Sequence, residues 1–188
     1  MSHRLVYVIG PSGAGKDSVL QGLRQSWPQA EAAHWSRRTI TRPLQAGGEQ
    51  HEAVNALAFE QLCRQQAFAM HWQANGLSYG VRHEELLPLQ AGRWVLVNGS
   101  RAWLPQLLLD WPRATLVHIG ADRDILAQRL AARGRESVEA VTARLARQVP
   151  LVLPSGAIRI DNNGPLQQAV AELQAALEQR ELDLPVRL

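Results

Sequence analysis

Short apolar runs of strand length alternate along this chain with longer stretches whose apolar residues recur at helical spacing. Arg4 to Ile9 is an almost continuous apolar run that stops at Gly10, the pattern of a strand covered on both faces. Asp17 to Trp27 follows as a helix, with Val19, Leu20 and Leu23 on one face and Pro28 as its stop. Ala30 to Ser36 supplies a second short strand, while Thr39 to Glu52 is polar, glycine-containing and expected to be a loop. Ala56 to Gln66 reads as a helix behind an Asn55 cap. Phe68 to Trp72 and Ser78 to Val81 flank Asn75-Gly76, the signal of a small antiparallel hairpin. Trp94 to Val97 and Thr115 to Ile119 are buried-type strands, followed by helices over about 101–109 and 122–132. A further helix covers Val138 to Arg147, Ala157 to Ile160 gives a last strand, and Leu166 to Arg180 closes the chain as an amphipathic helix.

This alternation predicts an α/β fold, a parallel sheet of about five strands covered by helices through right-handed crossovers. The 188 residues suit a single domain, with a core over 1–36 and 91–188 and an insertion over about 37–90. No repeat, low-complexity tract or linker divides the chain. With 46% hydrophobic and 20% charged residues the composition is that of a globular protein. The one cysteine, Cys63, rules out a disulfide framework and is expected to be a buried helix thiol. No apolar run is long enough for a membrane span or a signal peptide, so a cytoplasmic location is expected.

Charge adds a sharper clue. A net charge of +3 is too small to mark a nucleic-acid or membrane binder. Among the 20 basic residues, however, every one but Lys16 is arginine. Lysine offers a compact point charge where arginine offers a broad planar fork. A chain that keeps a single lysine directs attention to where it stands. It stands in Gly10-Pro11-Ser12-Gly13-Ala14-Gly15-Lys16-Asp17-Ser18, between the first strand and the first helix. That is the G-x-x-x-x-G-K phosphate loop in its proper context. Glycines let successive N–H groups converge on phosphate oxygens, and the helix that follows adds its positive end. The position after the lysine, commonly Ser or Thr, is Asp17 here, followed by Ser18; both are hard oxygen donors suited to Mg²⁺. A nucleoside triphosphate donor, ATP, with Mg²⁺ is therefore expected.

A cluster of arginines lies further on, at Arg123, Arg129, Arg133, Arg135, Arg144 and Arg147. Arg129 and Arg133 share a helix face just ahead of Gly134. Beside a phosphate loop, Arg129, Arg133 and Arg144 suit a lid over about 129–147 that closes on the transferring group. Arg123 and Arg147 suit a solvated face. The six histidines show no metal-ligand spacing.

These residues together resemble the guanylate-kinase-type P-loop kinases nearly from end to end. Gly10 to Lys16 matches that family's phosphate loop, Ile40-Thr41-Arg42 its Thr-Thr-Arg acceptor motif, and Asn75 to Val81 its Gly-Asn-Tyr-Tyr-Gly segment. Arg129 to Arg144 follows its lid, and Ile160-Asp161-Asn162-Asn163 the stretch before its last helix. The departures fall where that family reads guanine. Met70 stands in place of its base-reading glutamate, and Asn98 in place of the aspartate after its central strand. Leu44-Gln45 lacks its second arginine, and Gly48-Glu49-Gln50-His51 lacks its tyrosine. The ribose 1,5-bisphosphate phosphokinases of phosphonate catabolism are more similar. They share Gly15-Lys16-Asp17-Ser18, the Trp72 to Val81 segment and Val95-Leu96-Val97-Asn98-Gly99-Ser100-Arg101.

The resemblance implies phosphorylation of ribose 1,5-bisphosphate by ATP, giving 5-phospho-α-D-ribose 1-diphosphate (PRPP) and ADP. It implies that Gly10, Ser12, Gly13, Ala14, Gly15 and Lys16 hold the donor phosphates and that Asp17 and Ser18 serve Mg²⁺. Lys16, Arg129, Arg133 and Arg144 are then catalytic. Arg42, Glu49, His51, Tyr79, Asn98 and Arg101 are candidates for the sugar and its phosphates. The partner is a small molecule. Guanylate kinase activity, phosphorylation of a small-molecule hydroxyl and a non-catalytic interaction module stand as alternatives.

Overall fold

A computed structural model of the chain describes residues 2–44, 50–132 and 151–182. Five strands form one sheet in the order β2–β7–β1–β8–β9: β1 (Leu5–Ile9), β2 (His34–Trp35), β7 (Val95–Asn98), β8 (Thr115–Gly120) and β9 (Ile158–Asp161). β1 and β2 each pair in parallel with β7, and β8 pairs in parallel with β9. Every residue of β1 and β7 is buried, as their uninterrupted apolar sequences require in a sheet covered on both faces. The chain falls into two compact units, Met1–Val8 with Pro28–Thr115, and Ile9–Trp27 with Leu116–Leu188.

The first unit carries a second sheet, in the order β4–β3–β6–β5: β3 (Arg38–Ile40), β4 (Glu52–Ala53), β5 (Phe68–Ala74) and β6 (Leu77–Arg82). The expected hairpin is β5–β6, with its turn at Asn75 and Gly76, φ 51° and 73°. Two successive positive φ angles are what a type I′ turn demands. Gly80 in β6 is required by packing, because a Cβ there would strike the Phe68 ring. That ring in turn stacks on Phe59 at 4.8 Å. Phe59 belongs to α2 (Ala56–Arg64), whose start is fixed as expected by Asn55, its side chain accepting from Ala58 N at 2.8 Å.

Two expectations are corrected in this unit. Thr39, Ile40 and Glu52, at the two ends of the expected loop, lie in the strands β3 and β4, because β3 finds partners far along the chain: Arg38 opposite Val81 and Thr39 opposite Glu52. No local alternation announces such pairing. The Cys63 thiol is half-buried on α2, not fully buried; burial and then Glu60 raise its pKa. Two 3₁₀ segments, Ser2–Arg4 and His83–Leu89, go beyond the expected pattern. Within the helix expected over about 101–109, a third, Arg101–Trp103, precedes α3 (Leu104–Asp110), which starts where Pro105 fits a first helical turn.

In the second unit, α1 (Lys16–Ser26) begins immediately after Gly15, which holds the left-handed φ of 83°. Its buried Val19, Leu20 and Leu23 pack it against α5 (Leu166–Leu182). The helices approach so closely that a Cβ on Gly22 would sit 2.6 Å from Val170 Cγ2. Fully burying each such aliphatic side chain contributes about 1.5–3 kcal/mol. α4 (Arg123–Ala132) buries Leu126 and Leu130. The helix expected over 138–147 lies outside the described residues. Among the described residues no helix is long and apolar enough to cross a membrane.

Removing the α2 cap tests the local reading. Asn55→Ala leaves the Ala58 N–H without its partner and should cost about 1 kcal/mol. Thermal unfolding of the variant should show a midpoint lowered by roughly 2–4 °C.

Candidate functional site

At its three glycines the loop after β1 has no room for a side chain. A Cβ on Gly10 would overlap the carbonyl oxygen of Ile119, and one on Gly13 would lie 3.1 Å from Leu130 Cγ. Gly15 faces Asn162, whose Nδ2 a Cβ would strike. Asn162 is 3% exposed and donates through that same Nδ2 to the Ala14 carbonyl at 2.8 Å. Its own backbone N–H donates to Gly120 O at 2.9 Å, which anchors it to the end of β8. Asn162 therefore clamps the loop from behind, a role its place in the Asp161-Asn162-Asn163 stretch does not reveal.

Lys16 Nζ donates to the carbonyls of Gly10 at 2.9 Å and Pro11 at 3.2 Å, so the amine is held across the mouth of its own loop. Asp17 and Ser18 are exposed on the first turn of α1, where oxygen donors for a cation stay accessible. Arg129 projects from α4 toward the same loop. A Cβ on Gly15 would come to 3.9 Å from Arg129 Nη1, and that nitrogen is buried with no hydrogen-bond partner among the described residues. A cationic N–H in that condition fits an anion that the loop receives. The second unit thus brings together Gly10, Ser12, Gly13, Ala14, Gly15, Lys16, Asp17, Ser18 and Arg129. Arg133 and Arg144 lie outside the described residues.

The first unit gathers the other candidates. The His51 ring, 5% exposed, donates through Nε2 to the Arg42 carbonyl at 2.8 Å. Thr41 is tied to Ser78 twice, receiving its N–H at Oγ1 (2.8 Å) and donating its own to the Ser78 carbonyl (3.1 Å). The Thr41-Arg42 segment is thereby fixed from both sides. Tyr79 is buried and stacks on Trp72 with centroids 5.7 Å apart and planes 3° from parallel. Glu49 lies outside the described residues.

Asn98 and Arg101 flank the turn that leaves β7. The turn is locked to Tyr7, whose hydroxyl accepts from Ser100 N at 3.0 Å and faces the Ser100 carbonyl at 3.3 Å. A Cβ on Gly99 would strike the Tyr7 ring. Burial raises the Tyr7 hydroxyl pKa far above its usual value, against the lowering effects of the Ser100 hydrogen bond and the Arg38 charge. Burial likewise lowers that of Arg101. Tyr7 escapes sequence reasoning because it reads as one more apolar residue of β1.

On the face of the second sheet opposite Met70 and Val81, Glu52 accepts from Thr39 Oγ1 at 2.7 Å and from Arg82 Nε at 2.9 Å, with a further bond from Arg82 Nη2. Burial raises the Glu52 pKa, but the Thr39 hydrogen bond and the Arg82 contacts outweigh it and the net shift is downward. A lowered folded pKa means a contribution to stability that is complete above the unfolded carboxyl value, about 4.3. It is lost as pH falls through the lower folded value. Denaturant unfolding of wild type and Glu52→Gln should accordingly differ most near neutral pH, with the gap closing as pH drops below about 4.

The search against family models found no match. Among curated proteins, the ribose 1,5-bisphosphate phosphokinase PhnN of Pseudomonas paraeruginosa is 44% identical over 186 residues, covering 94% of this chain and 96% of its own. The protein of that name from Yersinia pestis is 43% identical over 186 residues, covering 97% and 94%. Among solved structures, guanylate kinase from Anaplasma phagocytophilum superposes with a TM-score of 0.62 at 14% identity, over 95% of this chain and 86% of that one. The fold is thus guanylate-kinase-like, and identity of this extent over nearly the whole length decides the rest. The chain belongs to the ribose 1,5-bisphosphate phosphokinase PhnN family.

Proposed function

We propose that this chain transfers the γ-phosphoryl group of ATP to ribose 1,5-bisphosphate, forming PRPP and ADP. The observation that carries the reading is the donor cradle: Lys16, and the buried Arg129 Nη1 that has no hydrogen-bond partner among the described residues, beside a loop whose Gly10, Gly13 and Gly15 leave no room for a Cβ. Loop N–H groups and the N-terminus of α1 receive the donor phosphates. Lys16 exchanges its two carbonyl partners for phosphate oxygens. Asp17 and Ser18 would hold Mg²⁺, which when bound neutralises charge on the donor phosphates. Arg129, with Arg133 and Arg144, supplies forked donors to the transferring group.

The acceptor phosphate is already an anion and needs no general base, so positioning carries the catalysis. Arg42 and Arg101 serve acceptor phosphates, with Glu49, Tyr79 and Asn98 toward the sugar. His51 acts through Arg42, whose carbonyl it holds. Met70 is fully buried and offers no acceptor to a purine edge, so discrimination against guanine follows from missing polar partners. The organisation that fits this chemistry is one kinase domain with an acceptor-binding insertion over about 37–90 and a lid over about 129–147. Highly charged substrates of this kind suit a cytoplasmic enzyme.

ADP release by purified protein, compared across ribose 1,5-bisphosphate, GMP and gluconate, tests the assignment. Ribose 1,5-bisphosphate should be much the best acceptor, and equal use of GMP would overturn the reading. Lys16→Ala should lower turnover by orders of magnitude, while the loss of its bonds to the Gly10 and Pro11 carbonyls should cost no more than about 3 kcal/mol of stability, so that thermal unfolding still shows a folded protein. Arg129→Lys keeps the charge but loses the fork, and should reduce kcat more than it raises KM for ATP.

A further inference from the structure

The second sheet presents two faces, and one of them holds a residue that its pattern does not account for. Arg38 of β3 pairs with Val81 of β6, and Val81 pairs with Met70 of β5. Directly opposed residues point to the same side of a sheet, so Arg38, Val81 and Met70 form one row. Ile40, Tyr79 and Trp72 form the next. All six are buried. The other face carries Thr39, Glu52 and Arg82 in their ion-pair network. An arginine retained only for pairing with a carboxylate belongs on that face, where Glu52 and Arg82 are partly exposed. Burying a guanidinium costs several kcal/mol, and a one-residue change of position would avoid it, since alternate strand residues change face.

The guanidinium is oriented as well as buried. Arg38 Cζ sits 5.4 Å from the centroid of the Tyr79 ring, which is itself stacked on Trp72. Met70, Val81 and Ile40 have no exposure, whereas Arg38 and Tyr79 each keep 8%. A ligand reaching this face meets the cation and the ring, above an apolar floor.

We infer that Arg38 is the specificity-determining residue that binds the 5-phosphate of the acceptor, the phosphate that the reaction leaves untouched. The inference rests on the proposed function. In that reaction the 1-phosphate is extended to a diphosphate, so the 5-phosphate must be held apart from the reacting group. A planar fork braced on an aromatic ring matches a phosphate with two parallel hydrogen bonds. The row that holds Arg38 also holds Met70, the position where the resemblance puts a base-reading carboxylate. With an apolar thioether there and a cation at the other end, the row suits a second phosphate and repels nothing anionic.

Steady-state kinetics with ATP and ribose 1,5-bisphosphate, together with competitive inhibition by ribose 5-phosphate and by α-ribose 1-phosphate, test this. Arg38→Met keeps the volume and removes the charge, a change that buried sites commonly tolerate. It should raise KM for ribose 1,5-bisphosphate about 10- to 100-fold, the loss expected for charged hydrogen bonds, and leave KM for ATP unchanged. Inhibition by ribose 5-phosphate should weaken by a similar factor, while inhibition by ribose 1-phosphate persists. Arg38→Lys, which keeps the cation, should retain part of the ribose 5-phosphate inhibition, and it decides the matter if the methionine variant does not fold. Equal weakening of both monophosphates, or none, would overturn the assignment. Absence of any ADP release from wild type with ribose 1,5-bisphosphate would instead overturn the proposed function, and this inference with it.

Discussion

The constraint on which both units depend is steric: at the end of a buried parallel strand, the chain must turn against a neighbour with no room for a Cβ. Gly10 makes that turn after β1 against the Ile119 carbonyl, and Gly99 makes it after β7 against the Tyr7 ring. In each case the contact also aims chemistry. The first turn releases backbone N–H groups into a loop that ends at Lys16. The second sets Asn98 and Arg101 on either side of a segment that Tyr7 grips through Ser100. Any side chain at either glycine would displace the residues that follow, so packing and function are inseparable there.

Polar groups then divide into those that brace and those that wait. Asn162 braces the phosphate loop through Ala14, His51 braces Arg42, and Thr39 and Arg82 brace Glu52. Each bond is made in the structure as it stands and gives rigidity before any ligand arrives. Arg129 Nη1 waits, buried beside Gly15 without a hydrogen-bond partner among the described residues. Preorganisation of this kind leaves little ordering to be done when an anion binds.

Local signals were enough for β1, the loop with α1, the capped α2 and the Asn75-Gly76 hairpin, because each is encoded within a few consecutive residues. The loop residues Gly10 to Lys16 were legible for the same reason. What escaped was long-range. β3 exists through partners at Val81 and Glu52, so Thr39 and Ile40 passed for loop and Arg38 fell in no expected element. Asn162 reaches its role across 148 positions of sequence, and Tyr7 hides its hydroxyl inside an apolar run. The aromatic brace formed by Trp72 and Tyr79 depends on register, which two strand assignments cannot supply without the β-ladder that joins them.

The solitary lysine has a spectroscopic consequence. Its amine, tethered to the Gly10 and Pro11 carbonyls, is the chain's single side-chain ammonium group. Protein made with ¹⁵N-labelled lysine would carry one ammonium resonance, assigned without ambiguity and situated at the phosphate loop itself. Nucleotide arrival, release of the two carbonyls and the ionisation state of that nitrogen would all be read from one line in one spectrum, with no mutation and no attached probe.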